Sequence, residues 1–161
     1  MDMRVRRLRG WKGYRIKMAA SVRVARRPRS DARDRAEGSG KPMYSPQVLD
    51  HFEHPRNAGT VPDADATARI ENPACGDVLE LTMKIAEGRI AEIRFRAKGC
   101  VAAMACASAV TELVSGRTLV EAKKLSRDEL VHAVGGLPAA STHASHLAMD
   151  ALAAVLGKIP G

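Results

Sequence analysis

No apolar run in the 161 residues approaches the roughly 20 that a membrane-spanning helix needs, because Arg, Lys, Asp, Glu or His interrupts every candidate. A protein anchored by membrane-spanning helices is excluded. Cysteine is scarce and odd in number: only Cys75, Cys100 and Cys106 occur, widely spaced. The N-terminus also lacks the continuous apolar stretch of a secretory signal, so a disulfide framework is not expected. Reduced thiols in a reducing compartment are the reading that remains, and metal or sulfur chemistry is weighed against inert burial. No internal repeat is visible.

What is present divides in two. Residues 1–42 carry 14 Lys+Arg against 4 Asp+Glu, and residues 43–161 carry 12 against 14, so the net charge of +8 is +10 in an arm and −2 in a body. The high isoelectric point therefore argues for an anionic partner only through the arm. With few large apolar side chains and a Gly38-Ser39-Gly40-Lys41-Pro42 ending, the arm cannot bury enough to order itself. Three readings of it stand open: an organelle transit peptide, a nucleic-acid-binding arm, or a start-site artefact with Met43 as the true first residue. The body, at 43–161, is the domain in which function is sought.

Punctuation in the body is readable. Ser45 before Pro46 reads as an N-cap with proline at the first helical position, and Val48, Leu49 and Phe52 share a face of a helix over about 46 to 54. Alternation of Leu81, Met83 and Ile85 with Glu80, Thr82 and Lys84 predicts a strand over about 78 to 86. Glu87-Gly88 is the turn into a second strand over about 90 to 97, and a third strand is expected at about 67 to 72. Beyond Gly99 an Ala-rich buried helix runs from Cys100 to Val114. A helical turn follows Thr118, and Ser126 with Glu129 forms a capping box for a helix over about 127 to 134. A last helix over about 142 to 156 carries Leu147, Leu152 and Val155 on its apolar stripe and stops at Gly157. Strands first and helices after predict an α+β fold, a small three-stranded antiparallel sheet with helices covering one face.

Two cysteines then fall at one end of that sheet. Pro73-Ala74-Cys75-Gly76-Asp77 enters the first hairpin strand, with Gly76 free to adopt φ > 0, and Lys98-Gly99-Cys100 leaves the second. Cys100 heads a helix, where unpaired N–H groups and the dipole favour thiolate. The two thiols and Asp77 are placed to converge on one ion, against the plain alternative of small buried residues. Cys106 lies about 9 Å further along the helix and about 240° round it, and reads as core. His143 and His146, three apart, have a spacing that suits two imidazoles on one metal, though capping or solvated histidines are commoner. His51 and His54 read as surface residues, and His132 offers nothing.

Taken in order, Tyr44-Ser45-Pro46-Gln47-Val48-Leu49-Asp50-His51-Phe52, His54-Pro55-Arg56-Asn57-Ala58-Gly59, Pro73-Ala74-Cys75-Gly76-Asp77 and Lys98-Gly99-Cys100 make the body resemble the IscU/NifU N-terminal family of iron-sulfur cluster scaffolds. The resemblance covers about residues 43 to 157. It implies an α+β fold and a transient cluster, of the 2Fe-2S type, built on three cysteines and an aspartate. It also implies sulfur from a cysteine desulfurase and transfer to apo iron-sulfur proteins. Carried over by position, Cys75, Asp77 and Cys100 match two of the cysteines and the aspartate, and His143 matches a histidine beside the third cysteine.

That third cysteine is Ala144 here. The family's chaperone-recognition segment, Leu-Pro-Pro-Val-Lys, reads Leu137-Pro138-Ala139-Ala140-Ser141, which leaves a chaperone contact without its second proline and its lysine. Because clusters are held mainly by cysteine sulfur, a site with two thiolates must draw on Asp, His or a second subunit, and His143 is the expected fourth ligand beside Cys75, Asp77 and Cys100. The same four residues make an acceptable tetrahedral zinc set. The resemblance thus implies a binding and carrier protein, not a turnover enzyme, in the cytoplasm, or in an organelle matrix if the arm is a transit peptide. The rivals are a zinc-binding sulfur acceptor or degenerate regulatory homologue, and a nucleic-acid binder acting through the arm. No membrane partner is expected.

Overall fold

A computed structural model of the chain describes residues 43–160, so the expected basic extension of residues 1–42 lies outside the described residues. Helix α1 is Pro46–Glu53, and Ser45 caps it as its sequence predicts: the Ser45 hydroxyl oxygen accepts from the Val48 N–H at 3.0 Å. Its buried face differs from expectation. Val48 and His51 are buried, whereas Leu49 and Phe52 are exposed.

The sheet comprises β1 (Ala66–Asn72), β2 (Asp77–Ala86) and β3 (Arg89–Lys98), antiparallel in the order β1-β2-β3. Leu79, Leu81 and Met83 all point into the core, as period-two alternation requires, and Leu79 thus joins a face first assigned to Leu81, Met83 and Ile85. Ile85 is only half-buried, because the β2–β3 register slips between Lys84 and Ile85. Glu87 and Gly88 both have positive φ, 55° and 72°, the signature of a two-residue type I′ hairpin turn. Thr82, on the outer face, is nonetheless buried: the loop between α1 and β1 folds over it, and the Val61 N–H donates to its hydroxyl at 2.8 Å. That loop also covers the free edge of β3, where Gly59 donates to the Phe95 carbonyl at 2.8 Å and Phe95 donates to the Asn57 carbonyl at 3.0 Å.

Among the described residues four further α-helices follow, α2 (Val101–Val114), α3 (Leu119–Lys123), α4 (Arg127–Ala133) and α5 (Thr142–Gly157). The capping box read at Ser126 and Glu129 is formed, and Thr118 with Glu121 makes a second. Helix α2 packs on β3, and α5 packs on β1 and β2. Its alanines let α2 bury most of its surface without overfilling the layer, and Phe95, Leu79, Leu81, Met83, Val110 and Leu152 fill the space between. The α+β reading of the sequence is therefore the architecture observed. Its consequence for function is that the β1–β2 turn, the end of β3 and the start of α5 are all available at one rim.

Candidate metal centre

Asn72 organises the β1–β2 turn. Its carbonyl accepts from the Gly76 N–H at 2.7 Å and its side-chain oxygen accepts from the Ala74 N–H at 3.0 Å. Gly76 takes φ 73°, a left-handed conformation that a side chain would strain. Four exposed residues, 73–76, therefore project Cys75 outward, and the chain returns so that Asp77 opens β2 as a buried residue. Because Val78 pairs with Lys98, the strand that ends at Lys98 delivers Gly99 and Cys100 beside Asp77.

Helix α5 supplies the third side. The Sγ of Cys75, a carboxylate oxygen of Asp77 and a ring nitrogen of His143 all lie within 4.8 Å of one another. His143 Nε2 is 3.5 Å from Asp77 Oδ2 and 4.0 Å from Cys100 Sγ. Cys100 is outside the tight three-atom group but shares its histidine. Sulfur, oxygen and nitrogen donors at this spacing suit a tetrahedral zinc or iron ion. A second observation points the same way: Asp77 Oδ2 is buried and accepts no hydrogen bond, an arrangement that is costly unless a cation completes it. The residues present thus fit a metal or cluster.

One sequence expectation at this rim is corrected. Cys100 does cap α2, its Sγ accepting from the Ala103 N–H at 3.4 Å, yet its thiol is pushed above its ordinary range, not below. Burial outweighs the N–H groups of Ala103 and Ala102, and the Asp77 carboxylate adds to the upward push. A metal held by Cys100 would have to displace its proton. His146 does not join His143. It faces Arg127, whose guanidinium lies 2.6 Å from its Nε2. Cys106 is fully buried in the core, its thiol pushed up to about 12, chiefly by desolvation. His132 is exposed.

His51 is the residue that sequence reasoning missed. Far from being a surface group, it is buried, with Nδ1 2.9 Å from the Ser108 hydroxyl. The same hydroxyl oxygen accepts from the Arg56 N–H at 2.8 Å, so the loop after α1 is tied to α2 through one serine. Only His54 of that pair is solvated, beside Asp50. Desolvation, helped by the Arg56 charge, holds His51 below the ordinary 6.5, against the pull of Glu112 and Asp50. The unfolded chain then binds more protons than the folded one between the depressed value and 6.5. Stability from this site is full above pH 6.5 and is lost as the pH falls through the depressed folded value. Urea midpoints at pH 7.5 and 5 check this: wild type is expected to lose more stability on acidification than His51→Gln.

With the geometry in place, comparison with known proteins is informative. A family profile described as "NifU-like N terminal domain" matches residues 43–161. The iron-sulfur cluster assembly scaffold protein IscU 1 of Archaeoglobus fulgidus is 46% identical over 110 residues, 68% of this chain and 72% of that one. The mitochondrial iron sulfur cluster assembly protein 1 of Candida glabrata is 39% identical over 123 residues, 73% of this chain and 57% of that one. The crystal structure of a nitrogen-fixing NifU-like N-terminal protein from Brucella abortus superposes with a TM-score of 0.60 at 20% identity, covering 73% of this chain and 94% of that one. At that identity the likeness speaks for the fold.

Proposed function

This chain belongs to the NifU-like N-terminal domain family, and on that premise we propose that residues 43–161 are an iron-sulfur cluster assembly scaffold. It takes iron and sulfur as cargo, the sulfur from a cysteine desulfurase, and passes the finished cluster to apo-proteins. Its ligands are Cys75, Asp77, Cys100 and His143, and the cargo is a 2Fe-2S cluster, the smallest that two thiolates, one imidazole and one carboxylate can close. Cys75, on the exposed turn, is the thiol that a large sulfur donor can reach. The chain carries and does not turn over. Its compartment is the cytoplasm, or an organelle matrix if residues 1–42 act as a transit peptide, a reading to which the mitochondrial relative lends weight.

One observation carries this reading: the donor atoms of Cys75, Asp77 and His143 meet within 4.8 Å, with Cys100 reaching the same histidine. Anaerobic incubation with a desulfurase, cysteine and iron is expected to produce charge-transfer absorption that depends on Cys75 and Cys100. No such absorption means no scaffold. The same donor set favours a second reading, a zinc-bound sulfur acceptor, and elemental analysis separates the two: stoichiometric zinc that iron and sulfide never replace supports the rival.

Position 144 tests the missing thiolate. Ala144 is buried in the first turn of α5, next to His143. Ala144→Cys is expected to prolong the lifetime of the reconstituted cluster by about tenfold or more, because even outer-sphere partners of a metal are worth about ten- to a hundredfold and a thiolate ligand is worth no less. The decay of visible absorption under a chelator measures it. An unchanged lifetime would mean that residue 144 does not face the cargo.

A further inference from the structure

Gly99 is a glycine that the backbone does not demand. Its φ is outside the left-handed region, unlike Gly76 in the opposite arm of the rim, and it is exposed. What it excludes is a side chain. A Cβ at residue 99 would stand 2.7 Å from both Cγ and Oδ1 of Asp77, closer than a Cβ comes to any such atom, and 3.1 Å from its Cβ. The Asp77 carboxylate lies against the bare α-carbon of residue 99, buried, with Oδ2 toward His143 and no hydrogen bond to that oxygen.

We propose that Gly99 is a positioning residue for Asp77: the missing side chain is the seat that brings the carboxylate into the group formed with Cys75 and His143. This rests on the reading of Asp77 as a ligand. Hydrogen bonds are the usual means of fixing a ligand carboxylate; here the Oδ2 oxygen has none, and the close fit against residue 99 restrains the group in its place. A methyl group at residue 99 meets a short side chain, which is freer to turn than the strand end behind it. The carboxylate would rotate away from its place near His143, and the metal would lose an oxygen donor while Cys75, Cys100 and His143 remain.

The test is a cycle of Gly99→Ala, Asp77→Ala and the double variant in the full chain, titrated with cobalt(II) as the probe and with zinc in competition. Gly99→Ala is expected to lower affinity by about tenfold, within the range for residues that orient a metal ligand, and to shift the cobalt ligand-field bands to those of Asp77→Ala. In the Asp77→Ala background the same change is expected to do nothing further. A merely structural glycine would lower affinity equally in both backgrounds, and that result, or a Gly99→Ala spectrum identical to wild type, overturns the proposal. Wild-type affinity and spectrum in Asp77→Ala alone would overturn the ligand reading itself, and the inference with it. Should Gly99→Ala not fold, the double variant decides: recovery of a cooperative fold there is the relief of the clash that the proposal requires, and continued unfolding refutes it.

Discussion

Cys100→Ala is expected to abolish the charge-transfer absorption of the reconstituted protein, while Cys106→Ala leaves it at wild-type intensity. The two thiols sit on one helix and differ in every relevant respect. Cys100 stands at the N-terminus of α2, half-buried, with its sulfur 4.0 Å from His143 Nε2, whereas Cys106 is enclosed among core residues with its thiol pushed up to about 12. A site that has alanine at residue 144 holds only Cys75 and Cys100 as soft donors, so removing one leaves a single thiolate for a cluster that thiolates hold. Cys100→Ala also removes a cap, since Sγ accepts from the Ala103 N–H; losing an N-cap costs about 0.5–2 kcal/mol, and a thiol belongs at the weak end of that range. Cys100→Ser separates the effects. Its hydroxyl keeps the cap, so urea stability is expected to stay near wild type while the absorption is still lost. A serine variant that assembles cluster normally would remove Cys100 from the site.

Local signals suffice wherever the chain obeys a local rule. The caps at Ser45 and Ser126, the turn at Glu87-Gly88 and the alternation through Leu81 and Met83 each depend on residues within four positions of one another, and each is formed as read. Helix α1 resisted because eight residues span barely two turns. Val48 is consistent with a face running through Phe52 or through His51, and the choice is made by Ser108, 57 positions away, whose hydroxyl satisfies a buried imidazole. No periodicity in α1 contains that partner.

The rim shows the same division. Topology alone brings Cys75 and Cys100 to one end, because a hairpin returns its exit beside its entrance. Electrostatics could not be read the same way: a helix N-terminus argues for thiolate, but the burial of Cys100 and the charge of Asp77 are tertiary, and they prevail. The spacing of His143 and His146 was also ambiguous. Arg127 on α4 claims His146, and that contact exists only once α4 and α5 have packed. Likewise, nothing local distinguishes Gly99 from the glycines of turns, since its reason is a carboxylate 22 positions earlier.

The largest effect on stability is expected from a residue that touches no ligand. The sequence has two phenylalanines, and the fold separates them: Phe95 is 1% exposed and Phe52 is 41% exposed. Phe95→Ala empties the middle of β3 facing α2, and large-to-small changes of this kind cost about 3–5 kcal/mol. Domains of this size are held by about 5–15 kcal/mol, so the variant is expected to lie near the limit of folding, while Phe52→Ala should shift stability by no more than about 0.5 kcal/mol. Urea denaturation followed by circular dichroism measures both. Loss at Phe95 should also reach the rim, because the strand that its side chain anchors to the core delivers Gly99 and Cys100 to Asp77. Metal or cluster binding in Phe95→Ala is therefore expected to fail at a lower urea concentration than in wild type, in step with unfolding. Binding that survives after the circular dichroism signal is lost would show that the ligands need no intact β2–β3 register, contrary to the way the rim is built.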